Sequence, residues 1–253
     1  MHSETRRPTT RPPPELQCQV WLDFDGTVTR EDVLDQLILR YSVDESWRDV
    51  ERRWQNGEIG SRQCLADQFD LLRVTPEQVE ALLDGMTFDP GVGSLIGLLE
   101  SRRVPVTVLS DSVDFFIRRI LDRLGLGHVP IRSNTAVFRS GGLQLLCPHE
   151  NPRCSFGAAH CKCRSMEALG RSGRRSIYVG DGRSDLCAAR KADFVFAKRT
   201  LADCLSRESL PYIRYSSLHD VAQFLADAWQ SFPAWVEPRR LEASPVIRRA
   251  ESA

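Results

Sequence analysis

The stretch that most constrains this chain is Val20-Trp21-Leu22-Asp23-Phe24-Asp25-Gly26-Thr27-Val28-Thr29. A short apolar run stops at a carboxylate, and a second carboxylate follows two residues later. Such runs read as buried parallel strands, and ligand sites in open α/β sheets lie outside the carboxyl ends of those strands. Asp23 and Asp25 are therefore expected at the lip of a sheet. Two close carboxylates repel each other, so a proton or a cation has to sit between them. Hard oxygen ligands suit Mg²⁺, which takes one or two carboxylates and leaves room for a phosphate.

Residues 30–85 carry helical patterns and no strand-like run, so an all-helical insert is expected between the first two strands. Thr29 is the expected N-cap of a helix from Arg30, and Thr75-Pro76 opens another over 76–84. A helix over 91–102 leads to a strand, Val104 to Leu109, which stops at Ser110-Asp111-Ser112 before a helix over 113–124. That junction offers a hydroxyl and free N–H groups to an anion. A hairpin is expected around Ser140-Gly141-Gly142, and a helix near 164–171. The strand Arg174 to Val179 ends at Gly180-Asp181-Gly182-Arg183-Ser184-Asp185. A helix over 185–191, a strand Phe194 to Ala197 and helices over 199–207 and 217–229 complete the pattern. Strands alternating with helices imply a mainly parallel sheet flanked by helices.

Composition bounds the rest. The chain has 253 residues, 42% hydrophobic and 27% charged, ordinary for a soluble globular protein. Basic and acidic residues balance at 34 each, which gives no reason to expect a nucleic-acid partner. No apolar run approaches the ~18 residues of a membrane span. Residues 1–16 are polar and proline-rich, without the apolar middle of an export signal, and read as a disordered leader. Residues 231–253 read as a polar, arginine-rich tail. A cytoplasmic location with reduced thiols is the expectation. Oligomeric state is not encoded in any feature of the sequence.

Four segments fall in a telling order: Asp23-Phe24-Asp25-Gly26-Thr27, the strand into Ser110, a lone cation, and Gly180-Asp181-Gly182-Arg183-Ser184-Asp185. Together they resemble the haloacid-dehalogenase-like (HAD) phosphatases, over residues 18 to about 215. The resemblance implies a Rossmann-like α/β core, formed by 17–29 and 86–230, with a small helical cap over 30–85. It also implies a Mg²⁺-dependent phosphatase of a small phosphate ester. Asp23 is then the nucleophile that becomes an aspartyl-phosphate, and Asp25 the general acid and base. Mg²⁺ would be held by the Asp23 side chain, the Asp25 backbone carbonyl and Asp181, with Asp185 as a further ligand or support. Ser110 would bind phosphate. The cation is Lys162 or Arg164, with Lys162 preferred.

Within that family the helical insert and the Val108-Leu109-Ser110 segment look like the phosphoserine-phosphatase-like branch. Pro148-His149 and Cys161-Lys162 resemble the methylthioribulose-salvage phosphatases, which act on 2-hydroxy-3-keto-5-methylthiopentenyl-1-phosphate. The usual Ser-Gly-Gly of that group is Ser110-Asp111-Ser112 here, which places an acid, Asp111, beside the phosphate site. Asp32 is placed like the family acid that faces the substrate. Arg52, Arg53 and Arg62 could meet a second anionic group. Phosphoserine phosphatase is the alternative enzyme, and a non-catalytic HAD-fold binding protein the alternative of another class.

Eight cysteines are present, and four of them crowd into 147–163. Cys147, Cys154, Cys161 and Cys163 are residue types of a structural Zn²⁺ site, although no paired C-x₂-C spacing occurs. Zinc, idle thiols and disulfides are the three readings left open.

Overall fold

The computed structural model describes residues 18–139, 142–171 and 173–228. The expected leader (1–16), tail (231–253) and hairpin turn at Ser140-Gly141 fall wholly or mainly outside the described residues. Seven strands form one sheet in the order β4-β3-β2-β1-β5-β6-β7. They are β1 Cys18–Leu22, β2 Val106–Val113, β3 Ile131–Arg139, β4 Gly142–Leu146, β5 Arg175–Gly180, β6 Phe194–Ala197 and β7 Ile213–Arg214. Every pairing is parallel except β3 with β4, which form the expected hairpin.

The period of two in the central strands sorts side chains between two helical layers. Val20 and Leu22 of β1, with Ile177 and Val179 of β5, pack in the cluster that holds α5 (Val92–Ser101), α6 (Asp114–Arg123) and α10 (Leu218–Ala228). Trp21 and Tyr178 point to the opposite face, against α7 (Lys162–Leu169), α8 (Leu186–Ala189) and α9 (Arg199–Arg207). A buried Leu or Val contributes about 1.5–3 kcal/mol, so this double-faced burial fixes the register of β1. Leu22 stands opposite Val108 of β2 on one side and Val179 of β5 on the other. The segments that follow Leu22 and Val179 therefore leave the sheet close together, beside the part of β2 that runs on past them. The strand order also reverses at β1, where a crevice opens in sheets of this kind.

Four helices, α1 (Val33–Tyr41), α2 (Trp47–Gln55), α3 (Ser61–Leu71) and α4 (Pro76–Gly85), lie between β1 and α5. The Thr75 hydroxyl and Gln78 form a capping box at α4, with Pro76 in its first turn, as the sequence suggests. Elsewhere the boundaries move. Helix α1 starts at Val33, because Asp32 rather than Thr29 caps it, accepting from the amides of Leu34 and Asp35. Thr29 instead bridges Phe88. Strand β2 runs on through Ser110, Asp111 and Ser112 to Val113, so these residues are extended and do not form the start of a helix. Strand β7 is too short to leave a pattern in the sequence. The helix expected over 185–191 is a 3₁₀ turn, Arg183–Asp185, followed by α8.

Helices α5 and α10 are joined by Asp89, whose Oδ1 accepts from Gly91 N at 2.9 Å and Leu218 N at 3.0 Å. A Cβ on Gly91 would lie 2.0 Å from the backbone nitrogen of His219. Gly91→Ala should therefore force the two helices apart and cost about 1–3 kcal/mol. Urea unfolding checks this, and an unchanged midpoint would count against the tight backbone approach.

Candidate active site

Asp23 follows β1 directly and is 5% exposed. Its Oδ1 accepts from Lys162 Nζ at 2.5 Å, and the same ammonium reaches Asp185 Oδ1 at 2.6 Å. Lys162 lies in the first turn of α7 and is 1% exposed, whereas Arg164 faces solvent. The geometry thus brings Lys162, not Arg164, to the carboxylates. Burial alone would lower the ammonium pKa, but Asp185, Asp23 and Asp111 outweigh it and hold Lys162 well above the ordinary lysine range. The cation stays charged.

Asp185 takes four protein donors. Tyr178 Oη joins Lys162 at Oδ1, at 2.6 Å, and the amides of Asp181 and Gly182 donate to Oδ2, each at 3.0 Å. This carboxylate ties the turn after β5 to α7. Asp181 accepts from Thr27 Oγ1 at 3.3 Å and from Arg199 at 3.2 Å. It packs on Gly26, where a Cβ would come within 2.3 Å of Asp181 Oδ2. Gly26 also holds φ at +72°, so two independent constraints favour glycine there.

Asp23, Asp181 and Asp185 each offer an oxygen within 4.8 Å of the others. Burial, then the Asp185 charge, push Asp23 well above the usual carboxylate range, against the pull of Lys162. Burial and Asp185 raise Asp181 to about 6, with Arg199 opposing. Three buried carboxylates share a single buried ammonium, and the surplus negative charge and hard oxygen donors fit a divalent cation of the Mg²⁺ type. The Asp25 carboxyl is directed elsewhere. It accepts from Val33 N at 3.0 Å and from the Ser110 hydroxyl at 3.4 Å, and burial followed by Asp32 raises its pKa well above normal. Held by these two donors at the mouth of the cleft, the Asp25 carboxyl is placed to exchange a proton with a bound group.

The remaining candidate residues divide. Asp111 accepts from His160 N and from the Ser61 hydroxyl, both at 2.9 Å, so it joins the insert to the core. Asp32 caps α1 and lines the same cleft as Asp23 and Asp25, about 1110 Å³ in volume. Arg52, Arg53 and Arg62 do not line it. Arg52 pairs with Asp49 and Glu58, Arg53 with Glu58, and Arg62 with Glu150. The zinc reading is not supported, because among the described residues the aspartate trio is the only group placed to hold an ion. Residues with no motif of their own complete the site: Ser61, Tyr178, His160, Arg199 and the cleft-lining Asp35 and Glu51. Only a hydroxyl aligned with α3 and a tyrosine two residues before Gly180 hinted at the first two.

A Rossmann-like sheet with Asp23, Lys162 and Asp181 converging at the carboxyl edge of β1 and β5 is the arrangement the resemblance to HAD-type phosphatases implies. The chain belongs to the putative phosphatase family, whose profile matches residues 18–211. A curated relative from Brevibacillus brevis, named 2-hydroxy-3-keto-5-methylthiopentenyl-1-phosphate phosphatase, is 25% identical over 83% of this chain and 96% of its own. A relative of the same name from Bacillus thuringiensis subsp. konkukian is 26% identical over 81% and 94%. Among solved structures, a phospho-aspartyl intermediate analogue of phosphoserine phosphatase superposes with a TM-score of 0.65 at 21% identity. It covers 82% of this chain and 98% of its own. A substrate-bound phosphoserine phosphatase gives 0.63 at 22%, with the same coverage. As a member of the putative phosphatase family, the chain is a phosphoric monoester hydrolase. No helix among the described residues is long and apolar enough to cross a membrane.

His160 supports the site from behind. One ring nitrogen meets the Ser110 carbonyl at 2.8 Å and the other the Ser165 hydroxyl at 2.7 Å, an arrangement that neutral imidazole satisfies by donating to the first and accepting from the second. Burial drives its pKa from 6.5 down to about 3. Its contribution to stability is full above pH 6.5 and falls as the pH drops from 6.5 toward 3, where the unfolded chain binds the proton first. The stability gap between wild type and His160→Gln should therefore narrow over that range in urea titrations, and a constant gap would contradict the neutral assignment.

Proposed function

We propose that this chain hydrolyses a small phosphomonoester through a phosphorylated Asp23. The single observation behind this is the contact between Asp23 and the buried Lys162, within reach of Asp181. Lys162 fixes Oδ1 of the nucleophile and offsets the charge that collects as the phosphoryl group approaches. Asp25, held by Val33 N and Ser110, gives its proton to the departing alcohol and then takes one from the water that cleaves the aspartyl-phosphate. Ser110 and neighbouring amides hold phosphate oxygens. Asp23, Asp181 and the Asp25 carbonyl would hold Mg²⁺, which when bound neutralises phosphoryl oxygens. Asp185, with its four donors, orients Lys162. Helices α1 to α4 serve as the cap that shapes the leaving-group pocket.

The side of that pocket drawn from the insert is acidic, while the side drawn from the core carries Arg183, Arg190, Arg199 and Arg207. The cleft residues drawn from 31–69 carry the carboxylates of Glu31, Asp32, Asp35 and Glu51 and no lysine or arginine. Such a wall repels an alcohol bearing a carboxylate and accepts a neutral or positively charged one. The ester in the names of the Brevibacillus and Bacillus relatives has an uncharged alcohol and fits this wall. Phosphoserine, supported by the likeness of fold, would find partners for its ammonium and none on this wall for its carboxylate.

Asp23→Asn should lower phosphate release from any accepted ester by about a thousandfold or more while the far-UV spectrum is kept. Full activity in this variant would remove the covalent reading. With wild-type enzyme and Mg²⁺, 2-aminoethyl phosphate should exceed phosphoglycolate, a near-isosteric acid, by at least about tenfold in kcat/KM, or ~1.4 kcal/mol. The reverse preference would refute the acidic-wall argument and leave the Asp23 result untouched.

A further inference from the structure

The cysteines that the sequence crowds around Lys162 have no part in phosphoryl transfer, yet they are not scattered. All eight cysteines are free thiols. Cys161 and Cys163 flank Lys162 and their sulfurs lie 3.5 Å apart. Cys161 is buried, while Cys163 is half-buried and open to a small oxidant. Cys163 also shares a thiol hydrogen bond with Cys187 of α8. Asn151 Nδ2 stands 3.7 Å from the Cys161 sulfur and holds its orientation. Two residues apart, their Cα atoms cannot separate by more than about 7 Å, which keeps the pair near the ~4.4–6.8 Å window that a disulfide spans.

We propose that Cys161 and Cys163 form an oxidation site, closing to a reversible disulfide astride Lys162 that switches the phosphatase off. The oxidant is a peroxide. The Cys163 proton passes to Cys187, to which it is hydrogen-bonded, as the Cys163 sulfur attacks one peroxide oxygen; the O–O bond breaks, Cys163 becomes a sulfenic acid, and the departing hydroxide takes up that proton as one water. The Cys161 sulfur then attacks the sulfenic sulfur. The S–S bond forms, and the Cys161 proton leaves with the hydroxyl as a second water. Two thiols lose two electrons, and the peroxide gains them. A dithiol reverses the reaction by exchange.

The consequence for the site follows from chain geometry. The sulfurs must close from 3.5 Å to about 2.05 Å. Both lie within one residue of Lys162, at the start of α7, where Cys161 is the N-cap. Any twist there moves the ammonium against two carboxylates at 2.5 and 2.6 Å. A displacement of ~1 Å at a reacting group can cost about a hundredfold in rate.

The test treats full-length protein with excess hydrogen peroxide and follows phosphate release from p-nitrophenyl phosphate with Mg²⁺. Activity should fall by at least about tenfold and return with dithiothreitol. Non-reducing tryptic mapping should recover the peptide Cys154–Lys162 joined to Cys163-Arg164, or the uncut peptide lighter by two hydrogens, with fragment ions and a Cys154→Ser protein placing the bridge on Cys161 and not on Cys154. Cys161→Ser and Cys163→Ser should each keep basal activity and resist peroxide, while Cys147→Ser should stay sensitive. Should one serine variant fail to fold, the other variant and the mapping of wild-type protein decide. A bridge from Cys163 to Cys187, peroxide loss that persists in the serine variants, or a Cys161–Cys163 bridge with activity unchanged would each overturn the proposal. The mapping does not depend on which ester the enzyme accepts, so it stands apart from the substrate reading.

Discussion

The ammonium of Lys162 between Asp23 and Asp185 is the interaction on which the site depends. A buried ion pair is favourable only when the remaining lone pairs and protons find partners. Here they do. Asp185 spends its second oxygen on two backbone amides and shares its first with Tyr178. The charge is thus anchored in the turn after β5, and α7 is drawn to β1 across the sheet. Without Lys162, Asp23, Asp181 and Asp185 would face one another with no buried cation among them. With it, the group retains a surplus of negative charge, which is what a divalent ion and a phosphoryl group together require.

Much of this was legible in the sequence because apolar runs that end in carboxylates carry their own address. The strands β1, β5 and β6 are marked by run length, and the aspartates that follow β1 and β5 by chemistry. Lys162 was separable from Arg164 only as a preference, since the choice depends on which way a helix faces after it packs. The extension of β2 through Ser110 was hidden, because Ser-Asp-Ser reads as a turn and β3 pairs only with Leu109 and Val113 on either side of it. Asp32 looked like a substrate contact and is also a helix cap, and the two roles draw on the same carboxylate. Which way Asp35, Glu51 and the arginines Arg52, Arg53 and Arg62 would face was not legible, for a further reason. Their direction is set by contacts between helices that share no pattern.

The insert and the core meet at a small set of polar links. Ser61 donates to Asp111 and in turn accepts from Ala159 N at 3.3 Å, while Arg183 reaches the Gln55 carbonyl. Asp111, the departure from the expected Ser-Gly-Gly, is therefore occupied in joining three segments. Its acid is a strut between insert and core, and the acidic wall of the pocket comes from the segment leading into α1 and from α1 and α2 themselves.

One of these links has a meaning for how the sequence can drift. Gly60 and Gly157 touch backbone to backbone: a Cβ on Gly60 would lie 2.5 Å from the Gly157 carbonyl oxygen, and one on Gly157 would lie 3.1 Å from the Gly60 Cα. Gly157 also holds φ at +55°. Neither position can acquire a side chain while the other stays where it is. The two glycines, nearly a hundred residues apart, therefore behave as one heritable unit. A side chain added at Gly60 obliges the loop that carries Gly157 to move as well.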